Sequence, residues 1–274
     1  MLKRKDKLFV IATFGLLFAI GLLLYILELE YYLIFIISLS VSFIILVMFK
    51  IYRRINFQIS ILKRKNDNYY RQTEDLFSIY FSVLPEKPLP DMMTLAASPD
   101  FLKHILLQIE ENNIENIIEL GSGLSTVVIG RFLKKRKLGK LLSIDHKEEF
   151  SSKTKKLLDI HDINKQVTIQ TRQLTNVKID ANDWEWYDLE GFNPENKFDM
   201  LIVDGPPAQS IDMMKRYPAL PLLKKYLNPG DIIIIDDANR PPEMQMVKKW
   251  VEMYDNISYK YISSDKGLCV ICVN

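Results

Sequence analysis

Two uncharged apolar runs at the N-terminus constrain this chain more than anything that follows them. Leu8 to Leu27 holds no charged residue and is long enough to cross the ~30 Å hydrocarbon core of a bilayer as a helix. Tyr31 to Phe49 is a second such run, separated from the first only by Glu28, Leu29 and Glu30, which predicts a tight helical hairpin. A cleaved signal peptide is the competing reading. The first run is longer than a usual signal core, lacks a small-residue cleavage site and is followed at once by the second. Residues 1–52 are therefore expected to form a transmembrane hairpin. Lys3, Arg4, Lys5 and Lys7 precede it, Lys50, Arg53, Arg54, Lys63, Arg64 and Lys65 follow it, and the connection carries only acids. Basic flanks favour the cytoplasmic side, so both ends, and everything after residue 50, are expected in the cytoplasm.

The remaining chain has the pattern of an ordinary globular domain. Over the full chain, 36 basic and 34 acidic residues leave a net charge of +2, which gives no support for a nucleic-acid partner recruited by bulk charge. Residues 53–91 read as a bridge. Its basic first part suits anionic headgroups. Leu76, Phe77, Tyr80, Phe81 and Leu84 then recur at helical spacing, a stripe expected to pack on the neighbouring domain rather than to bind substrate. Leu84-Pro-Glu-Lys-Pro-Leu-Pro90 is read as the linker, since proline lacks the N–H donor and restricts the residue before it. Cys269 and Cys272 are the two cysteines, spaced as in zinc or redox sites. The apolar, β-favouring run around them instead predicts a buried final strand with reduced thiols, as in a cytosolic compartment.

From residue 92 onward, strand-like and helix-like segments alternate. Ser98-Pro99-Asp100 is a helix start. Ile117 to Leu120 reads as a buried strand, Gly121-Ser-Gly123 as a turn, and Leu124, Val127, Val128 and Phe132 as the apolar face of the next helix. Strand, glycine turn and helix together present backbone N–H groups at a positive helix end. Leu141 to Asp145 is a second strand, ending in an acid roughly 20 residues beyond the glycines. An acid so placed can accept hydrogen bonds from both ribose hydroxyls of an adenosine cofactor, a reading the spacing favours over a plain surface residue. His146 beside it is read as packing near the adenine or at the loop surface before it is read as a base. Thr126 stands where a dinucleotide fingerprint has its third glycine, and no Gly-Lys-Ser/Thr follows. A cofactor without a pyrophosphate fits better, with Glu119 toward its positively charged amino-acid end.

Four pieces of the chain resemble the class I S-adenosylmethionine-dependent methyltransferases over roughly residues 92–274. They are Glu119-Leu-Gly-Ser-Gly-Leu-Ser-Thr126, Ser143-Ile-Asp-His146, Phe198-Asp-Met-Leu-Ile-Val-Asp-Gly-Pro-Pro207 and Asn228-Pro-Gly-Asp-Ile-Ile-Ile-Ile-Asp-Asp237. The resemblance implies an α/β, Rossmann-like, seven-stranded and mostly parallel sheet with helices on both faces. Ile257–Ile262 and Gly267–Val273 look like the strand pair that closes it, the last strand antiparallel. It implies S-adenosylmethionine as cofactor, with Glu119, Gly121, Ser122, Gly123, Ser125 and Thr126 at its methionine end. Asp145 and His146 would then lie at the ribose and adenine edge, and Asp204 near the reactive methyl. Ser125 replaces the family's third loop glycine but stays small.

Methyl transfer from a sulfonium asks a protein for alignment and, with an oxygen nucleophile, for proton removal. Asp204 ends the fourth strand and Asp236 and Asp237 end the fifth, at the sheet edge where open α/β folds bind ligands. All three are candidate catalytic acids or bases. Without nearby cations they would repel one another, raising a pKa or attracting a metal. Catechol-type O-methyltransferases hold magnesium at the same two strand ends. Asp236-Asp237 with Asn239 matches that pattern only in part, and Gly205-Pro-Pro207 does not continue it. No metal ligand is assigned, and a divalent metal is the less favoured reading. For Asp236 and Asp237 the alternative is a helix cap and a surface acid before Pro241-Pro242. Trp184, Trp186 and Tyr187 are read as a loop, either a lid or acceptor wall or a core contact. Arg216 is read as a solvated arginine or a holder of an anionic acceptor. The expected partners are a membrane and a small-molecule or lipid-linked acceptor, with no nucleic acid. The competing functions are an inactive cofactor- or partner-binding membrane scaffold and an NAD-dependent oxidoreductase, the latter disfavoured by the missing third glycine.

Overall fold

The computed structural model describes residues 4–27, 30–92, 97–207 and 214–274. Lys3, and Glu28 and Leu29 of the expected turn, lie outside them. The chain divides into two compact units, residues 1–67 and 68–274.

Two helices make the first unit, α1 (Arg4–Ile26) and the first part of α2 (Glu30–Val83). Gly21 is buried, and a Cβ placed on it would meet Leu33 Cδ1 at 3.5 Å, so the small residue admits the neighbouring helix. Elsewhere the apolar side chains point outward, Phe18, Leu22, Ile34, Phe35 and Leu46 among them. A helix apolar all round and unburied has the character of a membrane segment. Among the described residues one helix, α2 from Tyr31, is long and apolar enough to span a bilayer, whereas the apolar stretch of α1 is the shorter Ala12–Leu23. Two spans were expected, and length and composition support one of them in full.

The second unit is a seven-stranded sheet with helices on both faces. Its strands are β1 (Asn116–Leu120), β2 (Lys140–Asp145), β3 (Val167–Thr171), β6 (Met200–Val203), β7 (Ile232–Asp236), β8 (Ile257–Ile262) and β9 (Leu268–Val273), in the order β3-β2-β1-β6-β7-β9-β8. β1, β2, β3, β6 and β7 run parallel, and β9 pairs antiparallel with both β7 and β8. The central strands are continuous apolar runs, such as Met200–Val203 and Ile232–Ile235, because helices cover both of their faces. At the edge, β8 alternates less and exposes Ser258 through Tyr261. The helices α3 (Pro99–Glu111), α4 (Leu124–Arg136) and α5 (Glu148–His161) contribute to one apolar layer. Both α6 (Ala219–Leu223) and α7 (Pro241–Met253) contribute to the other. This is the Rossmann-like sheet the motif pattern implied.

Three local expectations change. The polar, Trp-rich stretch is a strand, β5 (Asn182–Tyr187), paired antiparallel with β4 (Leu174–Ile179) in a separate two-stranded sheet. Of the aromatic stripe at the end of α2, Leu76 is half-buried but Phe77, Tyr80, Phe81 and Leu84 are exposed, while Ile79 and Val83 are fully buried in the domain core. The last turn of α2 is tied down by Lys135 Nζ, which donates to the Ser82 carbonyl at 2.8 Å, and by Arg131 Nη2, which donates to the Leu84 carbonyl at 2.7 Å. Finally, β9 buries Cys269 but presents Cys272 to solvent, because neighbouring positions in a strand alternate faces. Both thiols are free, and burial pushes the Cys269 thiol up to about 12.

Candidate active site

The ends of β1, β2, β6 and β7 meet at the C-terminal edge of the sheet. Gly121, just after β1, has φ +101°, a left-handed conformation in which side chains are strained. Gly205, two residues beyond β6, lies directly against it. A Cβ on Gly205 would sit 3.1 Å from the N and Cα of Gly121 and 2.6 Å from Tyr187 Oη. Two strand ends therefore approach as bare backbone.

Buried hydroxyls hold the loop from below. Gly123 N donates to Thr126 Oγ1 at 2.9 Å, and Thr126 Oγ1 donates to Glu119 Oε2 at 2.5 Å. Ser143 Oγ donates to the same carboxylate oxygen at 2.7 Å. Burial pushes the Glu119 carboxyl up, and the hydroxyls of Ser125, Thr126 and Ser143 work the other way. One Glu119 oxygen thus fixes the start of α4, while Oε1 is buried without a protein partner.

Asp145, the last residue of β2, joins the neighbouring loop. Its Oδ2 accepts from Ser122 N at 3.0 Å and its Oδ1 from Lys147 N at 2.9 Å. A carboxylate oxygen has two lone pairs, so both keep capacity for further donors. His146 Nδ1 stands 3.5 Å from Asp145 Oδ1, and its ring meets that of Tyr187 edge-on at 6.4 Å. Burial lowers the His146 pKa from 6.5, so the imidazole is neutral at pH 7. Tyr187 Oη is buried and unpartnered between these groups.

The acids at the ends of β6 and β7 come together. Asp204, Asp236 and Asp237 each offer an oxygen within 4.8 Å of the others. Arg216 joins them with a side chain only 5% exposed. Its Nη2 donates to Asp237 Oδ2 at 3.0 Å and to Asp204 Oδ1 at 3.3 Å, and its Nη1 donates to the Asp236 carbonyl at 3.1 Å. Arg240 Nη1 stands 3.0 Å from the same Asp237 oxygen. Burial pushes Asp204 up to about 6 against the pull of Arg216, and Asp237 adds to the rise. Asp236 is pushed up to about 8, by burial first and then by the charges of Asp204 and Asp237. Burial disfavours the Arg216 charge, but Asp204, Asp237, Glu243 and Asp236 more than restore it.

The aromatic segment borders this cluster rather than forming an exposed loop. Trp186 and Tyr187 are fully buried, and Trp184 stacks on Tyr217 at 4.6 Å. Lys215 pairs with Glu185 on the same hairpin. The glycines and strand-end acids singled out in the sequence lie together at this edge, whereas Ser143 and Gly205 had no role of their own and Tyr187 was read only as part of a loop. It also left Arg216 as a solvated cation by default. The signal for Arg216 was its position between two acid-bearing strand ends.

The arrangement fits a nucleoside cofactor with a charged amino-acid end. Nothing lies within 4 Å of where a Cβ on Gly123 would be, Asp145 has unused acceptor capacity at the next strand end, and Glu119 Oε1 and Tyr187 Oη are buried without partners. In sequence, residues 118–238 match a family described as a methyltransferase domain. No curated protein matches the chain in sequence. An O-methyltransferase from Bacillus cereus, solved in complex with SAH, superposes with a TM-score of 0.50 at 18% identity, covering 74% of this chain and 90% of that one. The O-methyltransferase TomG from Streptomyces achromogenes, solved in complex with SAM, gives a TM-score of 0.51 at 16% identity, covering 76% and 96%. At such identities the structural likeness speaks for the fold, and the sequence match for the family. Residues 118–238 are thus similar in sequence to a methyltransferase domain, and the second unit has the fold of solved O-methyltransferases.

Proposed function

We propose that this chain is an O-methyltransferase anchored in a membrane by α1 and α2, its domain facing the cytoplasm and its acceptor a small or lipid-linked hydroxyl compound. One observation carries the reading: the Gly121–Gly123 loop, Asp145 and Asp204 converge on a single sheet edge. There a bare-backbone cradle, a ribose acceptor and a candidate base adjoin one another. The basic flanks of the apolar helices support the cytoplasmic side, and the outward apolar surface of α2 supports the anchor.

In this account S-adenosylmethionine supplies an electrophilic methyl when bound. Backbone N–H groups at the start of α4 and Glu119 Oε1 would hold its amino-acid end, and Asp145 would accept from its ribose. Tyr187 and Gly205 shape the floor beneath the reacting atoms. Asp204, when ionised, would take the proton of an acceptor hydroxyl, and the cofactor held at the Gly121–Gly123 loop and Asp145 would supply the methyl group to that oxygen. With Asp204 held near 6, its ionised form predominates above about pH 6, so a base is present at cytoplasmic pH. Arg216 fixes Asp204 and Asp237, while Asp236, near 8, stays largely protonated beside them.

The test is transfer of labelled methyl by native membranes carrying the full chain, with products separated into lipid extract and water-soluble fraction. Label in either fraction that is lost in Asp204→Asn, by two orders of magnitude or roughly so for a general base, supports the reading. The fraction carrying the label names the acceptor class. No transfer by membranes whose protein still binds S-adenosylhomocysteine would leave a cofactor-binding scaffold.

A further inference from the structure

Three carboxylates within 4.8 Å of one another at buried strand ends cannot all be ionised without a cation among them. In most proteins that hold such a cluster, the cation is either a metal ion or a side chain. We propose that Arg216 is the resident cation of this cluster, that it takes the place a divalent ion would otherwise hold, and that it acts as the positioning residue for Asp204. The inference rests on the proposed O-methyl transfer only for the second role.

The geometry is that of an internal counter-ion. The guanidinium is almost completely buried, reaches both strand ends at once, and donates to Asp204, Asp237 and the Asp236 carbonyl from its two terminal nitrogens. A planar fork suits this bridging better than a point charge does. Arg240 adds a second guanidinium to Asp237, and Glu243 Oε1 stands 3.9 Å from Arg216 Nη1. Asp237 is therefore occupied by two cations, and Asp204 is shared with it through one. Divalent magnesium or manganese asks for a near-octahedral shell of oxygens around about 2.1 Å distances. Seating it here requires Asp237 and Asp204 to give up a buried arginine that is hydrogen-bonded to both. Residues of the same cluster that remain unpartnered, Asp236 Oδ1 above all, are too few for a shell of that kind.

Manganese titration, read by electron paramagnetic resonance on the full chain in detergent micelles, tests this directly. The wild type is expected to bind no manganese that depends on Asp237, and its methyl transfer is expected to be unaffected by a chelator. Arg216→Met removes the buried guanidinium that bridges Asp204 and Asp237, leaving Arg240 on Asp237 alone, and is expected to gain one manganese per chain, a gain abolished when Asp237→Asn is added. Arg216→Lys keeps a positive charge and is expected to exclude the ion while losing turnover through a changed kcat rather than KM. Manganese bound by the wild type and lost in Asp237→Asn would overturn the proposal. So would an Arg216→Met variant that still binds S-adenosylhomocysteine yet takes up no ion; where that variant does not fold, the wild-type titration alone decides. Failure to bind S-adenosylhomocysteine by a wild type that excludes manganese would sink the enzymatic reading and leave the Arg216 assignment standing.

Discussion

At the scale of single residues, the site is built from groups that are costly anywhere else. Gly121 and Gly205 touch through backbone, so neither position tolerates a side chain, and Glu119, Asp236 and Tyr187 each bury a polar atom without a partner. Such atoms cost about 1–3 kcal/mol each when nothing satisfies them, and they gather where a ligand would. Asp236 offers a measurable consequence. Its carboxyl titrates near 8 in the fold against 3.8 ordinarily, so its contribution to stability is fully present below about pH 4 and is lost as pH rises through about 8. The groups setting this are Asp204, Asp237 and Lys266, besides burial itself. Asp236→Asn does not ionise. Thermal unfolding from pH 5 to 9 is expected to show a melting temperature advantage of the variant that grows up to about pH 8 and then levels. A difference independent of pH would mean that Asp236 is not held neutral.

At the scale of elements, the parallel strands and the glycine turn were legible because their signals are local. Ile117–Leu120 and Ile232–Ile235 are apolar runs of strand length, and Gly121-Ser-Gly123 follows its strand directly. The β4–β5 hairpin was not legible: Asn182–Tyr187 mixes acids with aromatics, and only its pairing with Leu174–Ile179 makes it a strand. Arg216 was misread for a related reason. An arginine is mostly exposed by default, and its burial depends on carboxylates that are near in space but distant in sequence. The end of α2 was misread by one helical step. Aromatics at Phe77 and Phe81 gave the stronger stripe, whereas Ile79 and Val83 do the packing. Burying two such side chains contributes about 1.5–3 kcal/mol each. A fragment beginning at residue 68 is therefore expected to unfold at distinctly higher denaturant concentration than one beginning at residue 86, with both followed by circular dichroism. Equal midpoints would show that α2 ends outside the domain.

At the scale of the whole molecule, two units of different character share one chain. The first exposes apolar side chains on all sides, and the second buries them between a parallel sheet and its helices. In the proposed function, an anchor and a methyl-transfer domain on one chain place catalysis beside a membrane, which suits an acceptor that is itself hydrophobic or assembled there. The central claim is narrower and comes first: the glycine loop and Asp145 hold a single-nucleoside cofactor. Calorimetric titration of the full chain in micelles with S-adenosylhomocysteine, and separately with NADH, tests it most directly. The account predicts saturable binding of S-adenosylhomocysteine alone, weakened about 10- to 100-fold in Asp145→Ala, as expected for hydrogen bonds to a charged group. Binding of NADH instead, or S-adenosylhomocysteine affinity unchanged in Asp145→Ala, would contradict it.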